Sequence, residues 1–164
     1  LLAAFAEVRR VHPHARLAVV GDGDRRAALE AQADALGLNE AVTFAGWVPD
    51  APCLMPGCEI VAMPSRWEGF GLVALEAMSA ARPLVASRVS ALPEIVADGE
   101  TGLLVPPDDP AALADALNRL LSDPARAGAM GRAGRTRLAD RFSVDRMIRE
   151  TLAVYEAVLD KPDL

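Results

Sequence analysis

Long apolar runs are missing from this sequence: none approaches the ~18 residues that cross a bilayer as a helix, and the start shows no secretory-leader pattern. An excess of basic charge is missing too. Seventeen Lys and Arg face 23 Asp and Glu, for a net charge of −6. Nucleic acid is therefore excluded as an expected partner, because phosphate contacts demand a basic surface. The same balance argues weakly against docking on anionic lipid. Cysteine is scarce. Cys53 and Cys58 lack the tight spacing and companion ligands of a metal site, so no metal is expected. They read as small residues packed in a reducing cytoplasm. His12 and His14 flank Pro13 at a helix end, which suits the surface.

What is present is an ordinary globular composition, 52% hydrophobic and 24% charged, with 164 residues to build one core. Apolar positions Leu1, Leu2, Phe5, Val8 and Val11 predict a helix that Pro13 ends. The chain opens on Leu1 already inside that pattern, and so reads as a piece of a longer protein. Short apolar runs at 16–20, 41–44, 59–63, 83–86 and 102–105 predict strands. Helices are expected from about Asp24, as its cap, to Gly37, over 72–81, and as short stretches before Cys58 and over 92–97. Asp109-Pro110 and Asp123-Pro124 place an N-cap acid before a first-turn proline, and Ser143 caps a final helix to about Leu159. Alternating strands and helices predict an α/β fold, a Rossmann-like doubly wound parallel sheet covered on both faces. Ligands in such folds bind at the carboxyl ends of the strands.

One of those ends is richer than the others. The segment Pro64-Ser-Arg-Trp-Glu68-Gly69-Phe70-Gly71-Leu72 runs into a helix that carries Glu76. Its glycines permit close backbone approach, and the first amides of the helix lack intrahelical acceptors. A diphosphate fits there. Glu68 and Glu76 would repel a phosphate, but an ionised carboxylate can accept from two hydroxyls of a sugar diol. Helix-start preference could account for Glu68 at roughly 0.3–1 kcal/mol, but Glu76 lies past the first turn. Among Leu72, Val73, Leu75, Ala77 and Met78, Glu76 needs a partner.

The stretch PSRWEGFGLVALEAMSAARPLVAS resembles the signature of the group 1 (family 4) retaining glycosyltransferases of the GT-B fold, with Glu68 and Glu76 in the E-x7-E spacing. The similarity runs through ARLAVVGDG, VTFAGWV, LPEIVADGETGLLVPPDDPAALADAL, RFSVDRM and Tyr155, nearly the whole chain. By that resemblance residues 1–164 form the C-terminal, donor-binding lobe, with the start of the lobe and the acceptor lobe outside the sequence. Glu76 would hold the ribose hydroxyls, and Glu68, the catalytic residue of the set, would contact hydroxyls of the transferred sugar. The amides of Gly69, Phe70, Gly71 and Leu72 would face the sugar and diphosphate, and Gly46, Trp47 and Val48 would border the base. The implied reaction is metal-independent transfer, without a cofactor, from a UDP-, GDP- or ADP-sugar to a glycan, lipid or small-molecule acceptor held by the other lobe. The implied location is cytoplasmic, with any peripheral attachment at the inner membrane residing in that other lobe.

The sequence departs from the family in places. Its phosphate-gripping Arg and Lys have no match here, and Arg66 is off-motif. Ser90-Ala91 stand where paired glycines are common before Pro93-Glu94, and Ala81 where one glycine is; both bear on fine donor geometry. Glu94 reads as a helix-turn acid. Other motifs fare worse. Gly21-Asp22-Gly23 starts like a dinucleotide fingerprint, but Arg26 occupies the third glycine's place. Asp22-x-Asp24 matches a metal motif only superficially. The remaining alternatives are a nucleotide-sugar 2-epimerase on the same fold, which should lack the paired acids, and a nucleotide-sugar-binding module without turnover.

Overall fold

The computed structural model describes residues 1–159; the last five residues of the expected lobe lie outside the described residues. The elements run α1 (Leu2–Val11), β1 (Leu17–Val20), α2 (Arg26–Ala35), β2 (Val42–Gly46), a 3-10 turn (Ala51–Gly57) and β3 (Val61–Met63). Then follow α3 (Leu72–Ser79), β4 (Leu84–Ser87), α4 (Leu92–Ile95), β5 (Gly102–Val105), α5 (Pro110–Leu121), α6 (Pro124–Arg141) and α7 (Val144–Leu159).

Local punctuation explains most of these boundaries. Asp109 accepts from the Ala112 N–H and Asp123 from the Arg126 N–H, closing the first turns of α5 and α6 over their prolines. The Ser143 hydroxyl accepts from the Arg146 N–H at the start of α7. Gly37, at φ +67°, ends α2 in a left-handed cap in which the Leu38 N–H reaches the Ala33 carbonyl. Asp24 does not cap α2. The cap position is Arg25, without a side-chain bond, and the turn closes through the Arg26 N–H to the Gly23 carbonyl.

All ladder pairs are parallel, as the alternation of elements requires, but they form two sheets instead of one. β1 pairs with β2, Leu17 opposite Val42; β3, β4 and β5 pair in that order, with Val61 opposite Leu84 and Leu84 opposite Gly102. The three-stranded sheet is closed on both faces. Ala62, Val85, Leu103 and Val105 pack with α1 and α5; Val61, Met63, Leu84, Ala86 and Leu104 pack with α3, α4 and α6. That alternation is the period of two of a strand, read on both sides. The two-stranded sheet is closed on one. Leu17, Val19, Val42 and Phe44 join the α1–α5 side, while Ala18, Val20, Thr43 and Ala45 are exposed. The expectation of cover on both faces therefore holds for β3–β5 and fails for β1–β2. α7 buries none of its residues, and Val144, Met147, Ile148, Leu152, Tyr155 and Val158 are exposed.

Candidate functional site

Three loops gather at the carboxyl end of the three-stranded sheet. The loop after β3 reaches α3 through Gly71, whose φ of +95° places it in the left-handed region. A Cβ at Gly71 would stand 2.8 Å from Leu92 Cδ2, so both the dihedral and the packing require glycine there. This turn aims the start of α3 outward, with Phe70 and Leu72 exposed.

Glu68 sits in this loop half-buried and held at two points. The Ser65 hydroxyl lies 2.6 Å from Glu68 Oε1, and the Glu68 N–H donates to Ser90 Oγ at 3.2 Å. Ser90 belongs to the loop after β4 and has φ +49°, a region that non-glycine residues seldom enter. Arg66 reaches the loop after β5, where its Nε lies 2.7 Å from Asp108 Oδ1. That pair is mostly exposed and contributes little to stability. Asp108 too has a positive φ, +54°. The three loops are thus stitched together side by side, and Arg66 spends its charge on an internal acid.

Glu76 lies on α3, half-buried; among the described residues, none hydrogen-bonds or ion-pairs with its carboxylate. Half-exposure explains how the group does without a partner from the protein: water reaches it. Its carboxylate is left available to a hydroxyl donor.

Gly46, Trp47 and Val48 lie at the carboxyl end of β2, in the other sheet. Gly46 has φ +68°, and its carbonyl accepts from the Gly21 N–H at 2.8 Å. Trp47 is 74% exposed, so its ring is free to meet a ligand instead of filling the core. Arg26, read from the sequence only as a broken fingerprint, organises this end. It hydrogen-bonds the Phe44 carbonyl at 3.1 Å, Asp22 at 3.3 Å and Glu30 at 2.8 Å. A Cβ on Gly46 would come within 2.9 Å of its Nη1. The bond to Glu30 leads the causes that raise the Arg26 guanidinium above its ordinary range. The i, i+4 spacing of Asp22, Arg26 and Glu30 was a signal that sequence reasoning could have used.

Several expectations change. Ala81, with φ +53°, caps α3 at the amino end of β4, the Arg82 N–H reaching the Ala77 carbonyl. Its glycine preference concerns that cap and not the donor geometry. Cys53 is exposed, not packed, and its thiol contacts Asp50 Oδ2 at 2.8 Å; that bond leads the causes that raise its pKa. His12 is half-buried and lies 3.4 Å from Ser122 Oγ, whereas His14 is exposed. Glu94 stands in the first turn of α4, as expected. No group of three or more potential metal-ligating side chains occurs among the described residues.

Comparison with known proteins adds independent findings. Residues 1–123 match the family described as "Glycosyl transferases group 1". The chain is similar to a glycogen synthase of Mycobacterium tuberculosis, 37% identical over 95% of the chain and 38% of that protein. It is similar to a GDP-mannose-dependent alpha-(1-6)-phosphatidylinositol monomannoside mannosyltransferase of Mycolicibacterium smegmatis, 40% identical over 82% of the chain and 38% of that protein. Among solved structures, Anabaena HepE in complex with UDP-glucose superposes with a TM-score of 0.85 at 31% identity, covering 94% of this chain and 44% of that one. The chain thus spans about two-fifths of the length of these relatives.

Proposed function

The chain belongs to the group 1 glycosyltransferases, and from that premise we propose that it forms the donor site of an enzyme moving a sugar from a nucleotide sugar to a hydroxyl acceptor with retention of configuration. One observation carries the reading: in the loop at the carboxyl end of β3, Glu68 keeps Oε2 without a described donor, and on α3, the helix this loop enters, Glu76 keeps its whole carboxylate unpartnered among the described residues. Two acids left open beside an outward-facing helix start suit a molecule built of sugar, diphosphate and ribose in sequence.

In this reading Glu76 accepts from the ribose hydroxyls and Glu68 from hydroxyls of the transferred sugar. The amides of Gly69, Phe70, Gly71 and Leu72 turn toward the sugar and diphosphate, where charge grows as the leaving group departs. Stabilising that charge is the main catalytic contribution of this lobe, and it uses no metal. Gly46, Trp47 and Val48 border the base. The acceptor, and any acid–base help, come from the rest of the enzyme, and the reaction runs in the cytoplasm. The base is open among relatives, one of which uses GDP-mannose while another is solved with UDP-glucose.

The test is a 1H–15N NMR titration of this chain with UDP-glucose, GDP-mannose and ADP-glucose in EDTA. One nucleotide class should bind and shift the amides of 68–72. Glu76→Gln should then lose on the order of 1.5–3 kcal/mol of affinity, the worth of charge-assisted bonds. Binding that leaves the amides of 68–72 unshifted, or full affinity in a folded Glu76→Gln, would overturn the reading.

A further inference from the structure

Glu68 is unusual in having both its main chain and its side chain held by hydroxyls from its surroundings. A loop glutamate has several rotatable bonds and pays an entropic cost when a ligand fixes them. Here two serines pay part of that in advance. Ser65 Oγ donates its single proton to Glu68 Oε1 at 2.6 Å, and Ser90 Oγ accepts the Glu68 N–H at 3.2 Å across 22 residues of sequence. Ser90 does this from φ +49°, where glycine would sit without strain but would offer no hydroxyl. The local backbone favours glycine, and the bond to Glu68 is what a serine adds.

We infer that Ser65 and Ser90 are positioning residues, a two-point clamp that presets Glu68 so that its free Oε2 meets a hydroxyl of the transferred sugar. This rests on the donor-site reading of Glu68. The clamp acts on the sugar end of the donor alone, since neither serine contacts Glu76 or the β2 end. Its signature is therefore a split between two probes: the nucleotide sugar, which touches Glu68, and the bare nucleoside diphosphate, which does not.

The experiment compares Ser65→Ala, Ser90→Ala and Ser90→Gly with the unaltered chain, titrating each with UDP-glucose against UDP and with GDP-mannose against GDP. Each substitution should weaken the nucleotide sugar by about three- to tenfold, the value of one hydrogen bond, and leave the diphosphate unchanged. Ser90→Gly should melt no lower than the unaltered chain, because it relieves the left-handed dihedral, and yet bind the sugar nucleotide more weakly. Hydrogen exchange at the Glu68 amide should quicken in both Ser90 variants. Equal losses for both probes, undiminished sugar-nucleotide binding, or an unchanged Glu68 amide would overturn the clamp while leaving the donor site standing. If the sugar nucleotide binds the unaltered chain without shifting the amides of 68–72, the donor-site reading falls and the clamp with it.

Discussion

The two sheets of this molecule are built from the same kind of unit and finished differently. In β3–β4–β5 every residue of β4 is buried, with helices on both faces, whereas β1–β2 alternates between a covered face and a bare one. The acids Glu68 and Glu76 belong to the closed half. The backbone expected to border the base belongs to the half-open one, where Arg26 ties the strand end together from the side. Close packing fixes side chains to within small tolerances. In the proposed reading, the half that would orient the sugar is thus the one packed on both faces, and the half that would meet the base is packed on one.

The sharpest way to break that comparison is to delete the same kind of atoms from each half. Leu84→Ala, at a fully buried site in β4, should cost about 2–5 kcal/mol in urea unfolding; Val20→Ala, at a site 40% exposed in β1, should cost less than about 1. Equal costs would mean that the halves are not differently packed. Next in size is a glycine pair. A Cβ on Gly131 of α6 would stand 2.0 Å from the Ala81 carbonyl oxygen, whereas one on Gly23, beside β1, would meet nothing within 4 Å. Gly131→Ala should lose about 3 kcal/mol, and Gly23→Ala should stay within about 0.5. A tolerated Gly131→Ala would contradict the contact of α6 with the α3–β4 junction.

The smallest effect is electrostatic and again local to the closed half. Burial pushes the Asp98 carboxyl up, but the Leu104 N–H and the Arg88 guanidinium outweigh it and hold the group below its ordinary value. A depressed folded pKa means stability that is present above the unfolded value, near pH ~4, and is lost as pH falls through the folded one. The melting difference between the unaltered chain and Asp98→Asn should therefore be constant near neutrality and shrink below about pH 4. A difference that grew on acidification would reverse the assignment.

The parts legible in the sequence were those written by neighbours in the chain. Asp109, Asp123 and Ser143 cap as their spacing promised, and Gly37 ends α2, because each motif closes over three or four residues. The loop carrying Glu68 and its junction with α3 were legible for the same reason. Asp24 misled because Gly23 closes that turn through its backbone and leaves no role for the side chain. Contacts between distant segments were out of reach: Ser90 on the Glu68 amide, Arg26 on the Phe44 carbonyl, Arg66 on Asp108. So was the bare face of β1–β2, since Ala18 and Val20 are apolar and read as covered. Periodicity says which residues share a face and not whether anything packs against it.

Both halves should answer to one ligand, and hydrogen exchange of this chain with and without saturating UDP-glucose or GDP-mannose tests that directly. The account predicts slowed exchange in two places at once, residues 68–72 on the closed half and 46–48 on the half-open one. A bound nucleotide sugar that leaves the amides of 68–72 exchanging as in the free chain would contradict it.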